Sequence, residues 1–167
     1  MAKPKLIGGI SACFVIFLFA FFNLHSRSTS LANLPAEYIL KSDYSAYQTD
    51  SKLLQTRPCE LIVLKHGVAK SHQVKNGHLA IYQTKNQAFY LKKGEQLSFL
   101  FHIDPVLPNG HHASIGYILD DQYQVFARGG LKEQAYAEFE APEDGEYKFF
   151  LWCTATDTIH VSSLTIK

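Results

Sequence analysis

FYLKKGEQLSFLFHI, residues 89–103, decides the fold class. Its second half places Leu97, Phe99, Phe101 and Ile103 at alternate positions, with Ser98, Leu100 and His102 between them. That period of two is one face of a β-strand. The Lys92-Lys93-Gly94 turn ahead of it holds the glycine that a tight reversal favours. The same pattern recurs on both sides. LAIYQT and AFYLKK flank Lys85-Asn86-Gln87, which predicts a three-residue hairpin loop with Tyr82 opposite Tyr90. ASIGYIL and YQVFAR flank Asp120-Asp121-Gln122, a second hairpin signal. AYAEFE alternates small or apolar residues with acids, and EYKFFLWC leaves a turn at Glu143-Asp144-Gly145 as a long strand. Upstream, CELIVLKH reads as a short strand with Cys59, Leu61 and Val63 in core phase, and Asn76-Gly77 marks a turn. At the C-terminal end, Ile159 and Val161 give way to Leu164 and Ile166, so the phase slips at Ser162-Ser163, and a bulge is expected there. About eight or nine short strands follow, with no amphipathic helix after residue 33. The fold class is all-β: an antiparallel, jelly-roll-like β-sandwich over residues 58–167.

The start of the chain belongs to a different environment. Residues 1–5, MAKPK, carry Lys3 and Lys5, and Leu6 to Leu24 then run without a charge. A basic start before an apolar run is an export signal. The run matches the roughly 20 residues that span a bilayer. It predicts one N-terminal transmembrane helix over residues 6–24, with the lysines in the cytoplasm and the remainder outside. The alternative is a cleaved signal, with Ser30-Leu31-Ala32 as a small-x-small site, and a secreted product. Cys13 reads as part of the apolar segment. Residues 25–57 show no firm period and read as a stalk or a poorly defined first strand.

The composition, 47% hydrophobic and 19% charged, is that of a globular chain. Thirteen of the 16 basic residues and all 15 acids lie after residue 32, so the exported part is slightly acidic. That excludes a nucleic-acid partner of the usual kind, which requires a basic face. Cys59 and Cys153 are the two cysteines of the exported part. In an oxidising compartment they predict one disulfide, both being in core phase. The plainer reading makes them two small buried hydrophobes.

Three segments carry a resemblance: FYLKKGEQLSFLFHI, ASIGYILDD (113–121) and FEAPEDGEYKFFLWCTA (139–155). An aromatic strand runs into a glycine turn, Phe89 to Gly94. A later segment has Ala141, Pro142, Gly145 and Tyr147 spaced as Ala-Pro-x-x-Gly-x-Tyr. Over about residues 88–167 the chain resembles small exported bacterial β-sandwiches of the pre-peptidase C-terminal type. The resemblance implies a non-catalytic jelly-roll accessory module.

Candidate sites divide into two kinds. Tyr82 and Tyr90, paired across the expected hairpin, would offer an aromatic surface to a sugar or a protein. Phe150 and Trp152 share the strand face opposite Tyr147, Phe149, Leu151 and Cys153, so they are covered by a loop or form an exposed apolar patch. In FHIDPVLPNGHH (101–112), a hairpin loop over 104–110 would pair Ile103 with His111 and set His102 opposite His112. Asp104 at the loop mouth would complete a two-histidine, one-carboxylate metal site. Against that, adjacent His111 and His112 point to opposite faces, and consecutive jelly-roll strands often lie in different sheets. No nucleophile elbow or phosphate loop occurs; Ala113-Ser114-Ile115-Gly116 is not one. The paired acids at Asp120-Asp121 and Glu143-Asp144 read as solvated turn residues. The reading is therefore a membrane-anchored or secreted extracytoplasmic module that binds a protein partner or cell-surface glycan, needs no cofactor and is not an enzyme. The alternatives are a cupin-like metal-dependent enzyme using His102, Asp104 and His112, and a purely structural envelope protein.

Overall fold

A computed structural model describes residues 39–40, 50–85, 87–104, 111–154 and 157–167. The apolar segment 6–24, Cys13 and most of 25–57 lie outside the described residues. Among those described, no helix is long and apolar enough to cross a membrane.

The described residues form one short helix and eleven strands, in order: α1 (Ser51–Gln55), β1 (Cys59–Val63), β2 (Val68–Ala69), β3 (His72–Val74), β4 (Leu79–Gln83), β5 (Phe89–Leu91), β6 (Gln96–Ile103), β7 (His111–Leu119), β8 (Gln122–Leu131), β9 (Gln134–Glu140), β10 (Gly145–Cys153) and β11 (Ile159–Ile166). They form a six-stranded sheet in the order β1-β4-β10-β7-β8, with β5 also on β10. The second sheet has five strands in the order β2-β11-β6-β9, with β3 also on β11. The alternation of QLSFLFHI is realised as expected: Phe99, Phe101 and Ile103 are buried and His102 is not. Phe99 meets Phe149 of β10 at 4.9 Å between ring centroids, so the two sheets share one aromatic core as a sandwich.

Several pairings differ from expectation, each for a local reason. β1 joins β4 in parallel, not antiparallel, with Cys59 beside Leu79 and Val63 beside Gln83. β4 and β5 do not pair as a hairpin. Thr84 and Gln87 exchange backbone hydrogen bonds of 3.1 and 3.2 Å, after which the chain rejoins the same edge of β10. Phe89 is thereby turned inward against Phe149, at 5.4 Å. β6 and β7 lie in different sheets, so Ile103 does not meet His111. The β7–β8 hairpin forms as read. Its turn is Asp120-Asp121, both at positive φ (48° and 59°), the geometry whose twist suits a two-residue hairpin. The β11 irregularity falls between Val161 and Ser163, as the phase slip predicted.

The segments that carry the family resemblance lock together. Gly94, at φ 84°, closes a turn in which the Glu95 N–H reaches the Lys92 carbonyl at 3.0 Å. Lys93 N–H donates to Asp144 Oδ1 at 2.8 Å, Gly94 N–H to the Ala141 carbonyl at 2.8 Å, and Ala141 N–H to the Glu95 carbonyl at 2.9 Å. Tyr147 donates its hydroxyl to the Glu143 carbonyl at 2.7 Å, a local reason for an aromatic with a polar tip two residues after Gly145.

Candidate functional site

The outer face of the six-stranded sheet gathers the candidate residues. Its registers set out two rows. One runs Cys59, Leu79, Trp152, Ser114, Arg128 across β1, β4, β10, β7 and β8. The next runs Leu61, Ile81, Phe150, Gly116, Val125. Gly116 is required there: a Cβ would stand 2.2 Å from Phe150 Cζ, so only glycine lets that ring lie across β7. Phe150, Leu79, Ile81 and Ile118 form a second apolar cluster with Leu54 of α1. One polar contact caps the helix and two hold it over the sheet. Asp50 caps it by accepting from Lys52 N–H at 2.9 Å, Ser51 Oγ accepts from Tyr123 N–H at 2.9 Å, and Gln55 donates to the Asp121 carbonyl at 2.6 Å.

Among the described residues, the face beyond the helix is open. Tyr90, on β5 opposite Glu146, is 63% exposed, and Leu61 and Val63 on edge strand β1 are 58% and 48% exposed. Six residues of β10 separate the level of Tyr90 from that of Trp152, about 20 Å at strand rise. Arg57, between α1 and β1, lies over the Trp152 ring with its Cζ 5.9 Å from the centroid, a cation–π contact. Ser114 is fully buried, and its hydroxyl accepts from Arg128 Nε at 2.9 Å. His112 is exposed one step further along β7. Arg57 and Arg128 thus carry positive charge on this face, and neither row contains an acid. Arg57 Nε and Trp152 Nε1 are both buried with no hydrogen-bond partner. An orphaned donor of that kind costs about 1–3 kcal/mol.

The sequence-derived candidates fare unequally. Trp152 is half-buried on this face, and the exposed Tyr90 is also on it. Phe150 is fully buried beneath α1, so it is a covered residue and offers nothing to a partner. Tyr82 is buried on the opposite, inner face and is not paired with Tyr90. His72 Nδ1 lies 2.8 Å from the Lys70 carbonyl, which only accepts, so Nδ1 carries the proton and Nε2 accepts from the Tyr82 hydroxyl at 2.9 Å. Burial pushes the Tyr82 hydroxyl pKa far up and holds the His72 imidazole below its ordinary value, against the opposing pull of the Lys70 carbonyl and Glu60.

The metal triad is not assembled. His102 pairs with Ser163 and Gln134 in one sheet, while His112 pairs with Gly130 in the other. Asp104 follows β6, its N–H bonded to the His160 carbonyl at 3.0 Å. Among the described residues no group of three His, Cys, Asp or Glu side chains is placed to hold a metal ion. Nor do Cys59 and Cys153 form a disulfide. Cys59 is exposed in the outer-face row, whereas Cys153 is buried in the inner core with its thiol on the Asp157 carbonyl at 3.2 Å. The assumed core phase of Cys59, Leu61 and Val63 was inverted: Ile62 is the β1 residue that packs inward. Arg57, Ser114 and Arg128 went unsuspected. Trp152 on an outward phase was the signal that pointed to their location, but nothing local marked Arg57 as its cover.

No family model matches the sequence, and no curated protein matches it. Among solved structures the chain is similar to the pre-peptidase C-terminal domain of collagenase from Bacillus anthracis, the family type that the sequence resembles. The identity is 14% and the TM-score 0.43, over 67% of this chain and 99% of that one. It is also similar to PliG of Aeromonas hydrophila, a periplasmic inhibitor of g-type lysozyme, at 13% identity and TM-score 0.40, over 66% and 98%. A third is CorA, a surface-associated copper-binding protein of Methylomicrobium album, at 9% identity and TM-score 0.38, again over 66% and 98%.

Proposed function

We propose that the chain is a non-catalytic, extracytoplasmic binding module, a jelly-roll-like sandwich held at the membrane by residues 6–24, with the sandwich outside. It takes a protein partner or a cell-surface glycan on the outer face of its six-stranded sheet. The observation that carries this reading is the finish of that face. A five-residue helix covers its centre, and around it Tyr90, Leu61, Val63 and the Arg57-capped Trp152 remain at the surface. Exposed aromatic and aliphatic side chains beside an arginine-covered tryptophan suit recognition. The basic start and the uncharged run from Leu6 to Leu24 support the anchor.

The test uses the full chain in detergent. It should fractionate with membranes in its host, and the purified protein should retain cell-envelope material. Retention should fall at least tenfold for the Leu61→Asp/Tyr90→Ala double variant, with its folding checked by circular dichroism. Full retention by the folded double variant would refute the assignment of this face. A soluble product beginning at Asn33 would refute the anchor.

A further inference from the structure

Among the described residues, the buried side-chain polar atoms that lack a hydrogen-bond partner are two, Arg57 Nε and Trp152 Nε1. They belong to groups in contact, since the guanidinium lies over the indole. Buried N–H donors in folded proteins nearly always have an acceptor, so two orphans on touching side chains ask for one explanation. Ser114, directly across from Trp152 on β7, accepts from Arg128 and makes no hydrogen bond to the indole. One of the two donors carries a permanent positive charge. An acceptor suited to both has two oxygens and a negative charge, which describes a carboxylate.

We propose that Arg57 and Trp152 form the binding site for a carboxylate-bearing sugar of an acidic glycan. This rests on the binding-module reading above and names the chemistry of its ligand. Neither orphan atom touches solvent, so Arg57 acts as a placeholder over the ring. When the ligand arrives, the guanidinium moves off the indole and donates to one carboxylate oxygen, the indole N–H donates to the other, and the sugar ring takes the place over Trp152. His112 is exposed along the same face to meet a further hydroxyl group. A glycan is favoured over an acidic peptide by the position of the site within the sheet. Trp152 is on β10, both of whose edges at that level are occupied, by Leu79 of β4 and Ser114 of β7, so no extended peptide can add there as a strand. A flat indole face suits a sugar ring instead.

Trp152 is the only tryptophan in the chain, so its fluorescence reports the site directly. The full chain in non-aromatic detergent would be titrated with oligogalacturonate, with the same oligosaccharide as its methyl ester, and with tetraglutamate. Oligogalacturonate should shift the emission and saturate. The ester, which removes the carboxylate charge and places a methyl group on one of its oxygens, should bind at least tenfold more weakly, as should tetraglutamate. Arg57→Gln should weaken oligogalacturonate at least tenfold and leave the ester unchanged, and calorimetry on Trp152→Phe should show the same loss for the acid. Equal affinity for acid and ester, or an unaltered Arg57→Gln variant, would overturn the carboxylate assignment while leaving glycan binding in place. Binding of tetraglutamate alone would move the ligand to the peptide class and overturn the proposal. No response to any oligosaccharide would overturn it as well. Retention of envelope material by the same preparation would then show whether the broader binding reading survives.

Discussion

On the inner face of the six-stranded sheet, the buried Tyr82 hydroxyl has His72, Tyr147 has the Glu143 carbonyl and Tyr117 has Gln124. On the outer face, Arg57 and Trp152 each hold a buried N–H without an acceptor. The same strands build both faces, and alternation sends their side chains to one or the other. The inner face meets a second sheet, which brings aromatic surface, and His72 of β3, the Glu143 carbonyl and Gln124 of β8 pair these three hydroxyls. Among the described residues, the outer face meets one helix of five residues, which buries Phe150 and leaves the rim unfinished. Completed polar pairing marks the face that holds the fold together, and incomplete pairing marks the face available to something else.

The largest effect should come from the inner face. Phe149 has ring contacts with Phe89, Phe99, Phe126 and Phe139. Phe149→Ala should cost about 3–5 kcal/mol by denaturant unfolding. Leu54→Ala, which removes the fully buried foot of α1, should cost about 2–3 kcal/mol, because the outer cluster can partly collapse or hydrate. A larger loss for Leu54→Ala than for Phe149→Ala would reverse the ranking of the two faces.

Paired polar deletions sharpen the contrast. Tyr82→Phe leaves His72 Nε2 without its donor and should cost about 1–2 kcal/mol. Trp152→Phe removes a donor that had no partner, so it should cost less than about 1 kcal/mol despite the smaller ring. Equal costs would remove the distinction.

Stability should also depend on pH through His72. Burial holds its folded pKa below 6.5, so the unfolded chain takes up the proton first. The contribution of the neutral imidazole is complete above pH 6.5. It is lost as pH falls below 6.5 toward the folded value, and then levels off. The effect should persist in Tyr82→Phe, because burial is its principal cause, and should vanish in a variant in which His72 is replaced by Gln. The smallest effect belongs to the cysteines. Cys59→Ser should change stability by under about 0.5 kcal/mol, and a thiol reagent should modify Cys59 in the native protein but Cys153 only after unfolding.

The sandwich was legible because alternation in QLSFLFHI, the Asp120-Asp121 turn and the slip at Ser162-Ser163 are local signals with local causes. The partners of the strands were not. A hairpin-like loop at Lys85 gives the same turn chemistry whether the chain folds back on β4 or rejoins β10, and the inward pull on Phe89 decides it. The two faces of CELIVLKH are equally apolar, so phase alone could not say that Ile62 packs inward while Leu61 and Val63 face out. That one inversion also produced the expected disulfide. Trp152 was placed on the right face, but its cover came from Arg57, in a segment without periodicity.

The central claim, that function resides on the outer face of the six-stranded sheet, is tested most directly by comparing one variant on each outer surface. Retention of cell-envelope material by the full chain would be measured for Trp152→Phe and for His102→Ala, the latter on the outward side of the five-stranded sheet. The account predicts at least a tenfold loss for Trp152→Phe and wild-type retention for His102→Ala. Loss with His102→Ala and wild-type retention with Trp152→Phe would contradict it.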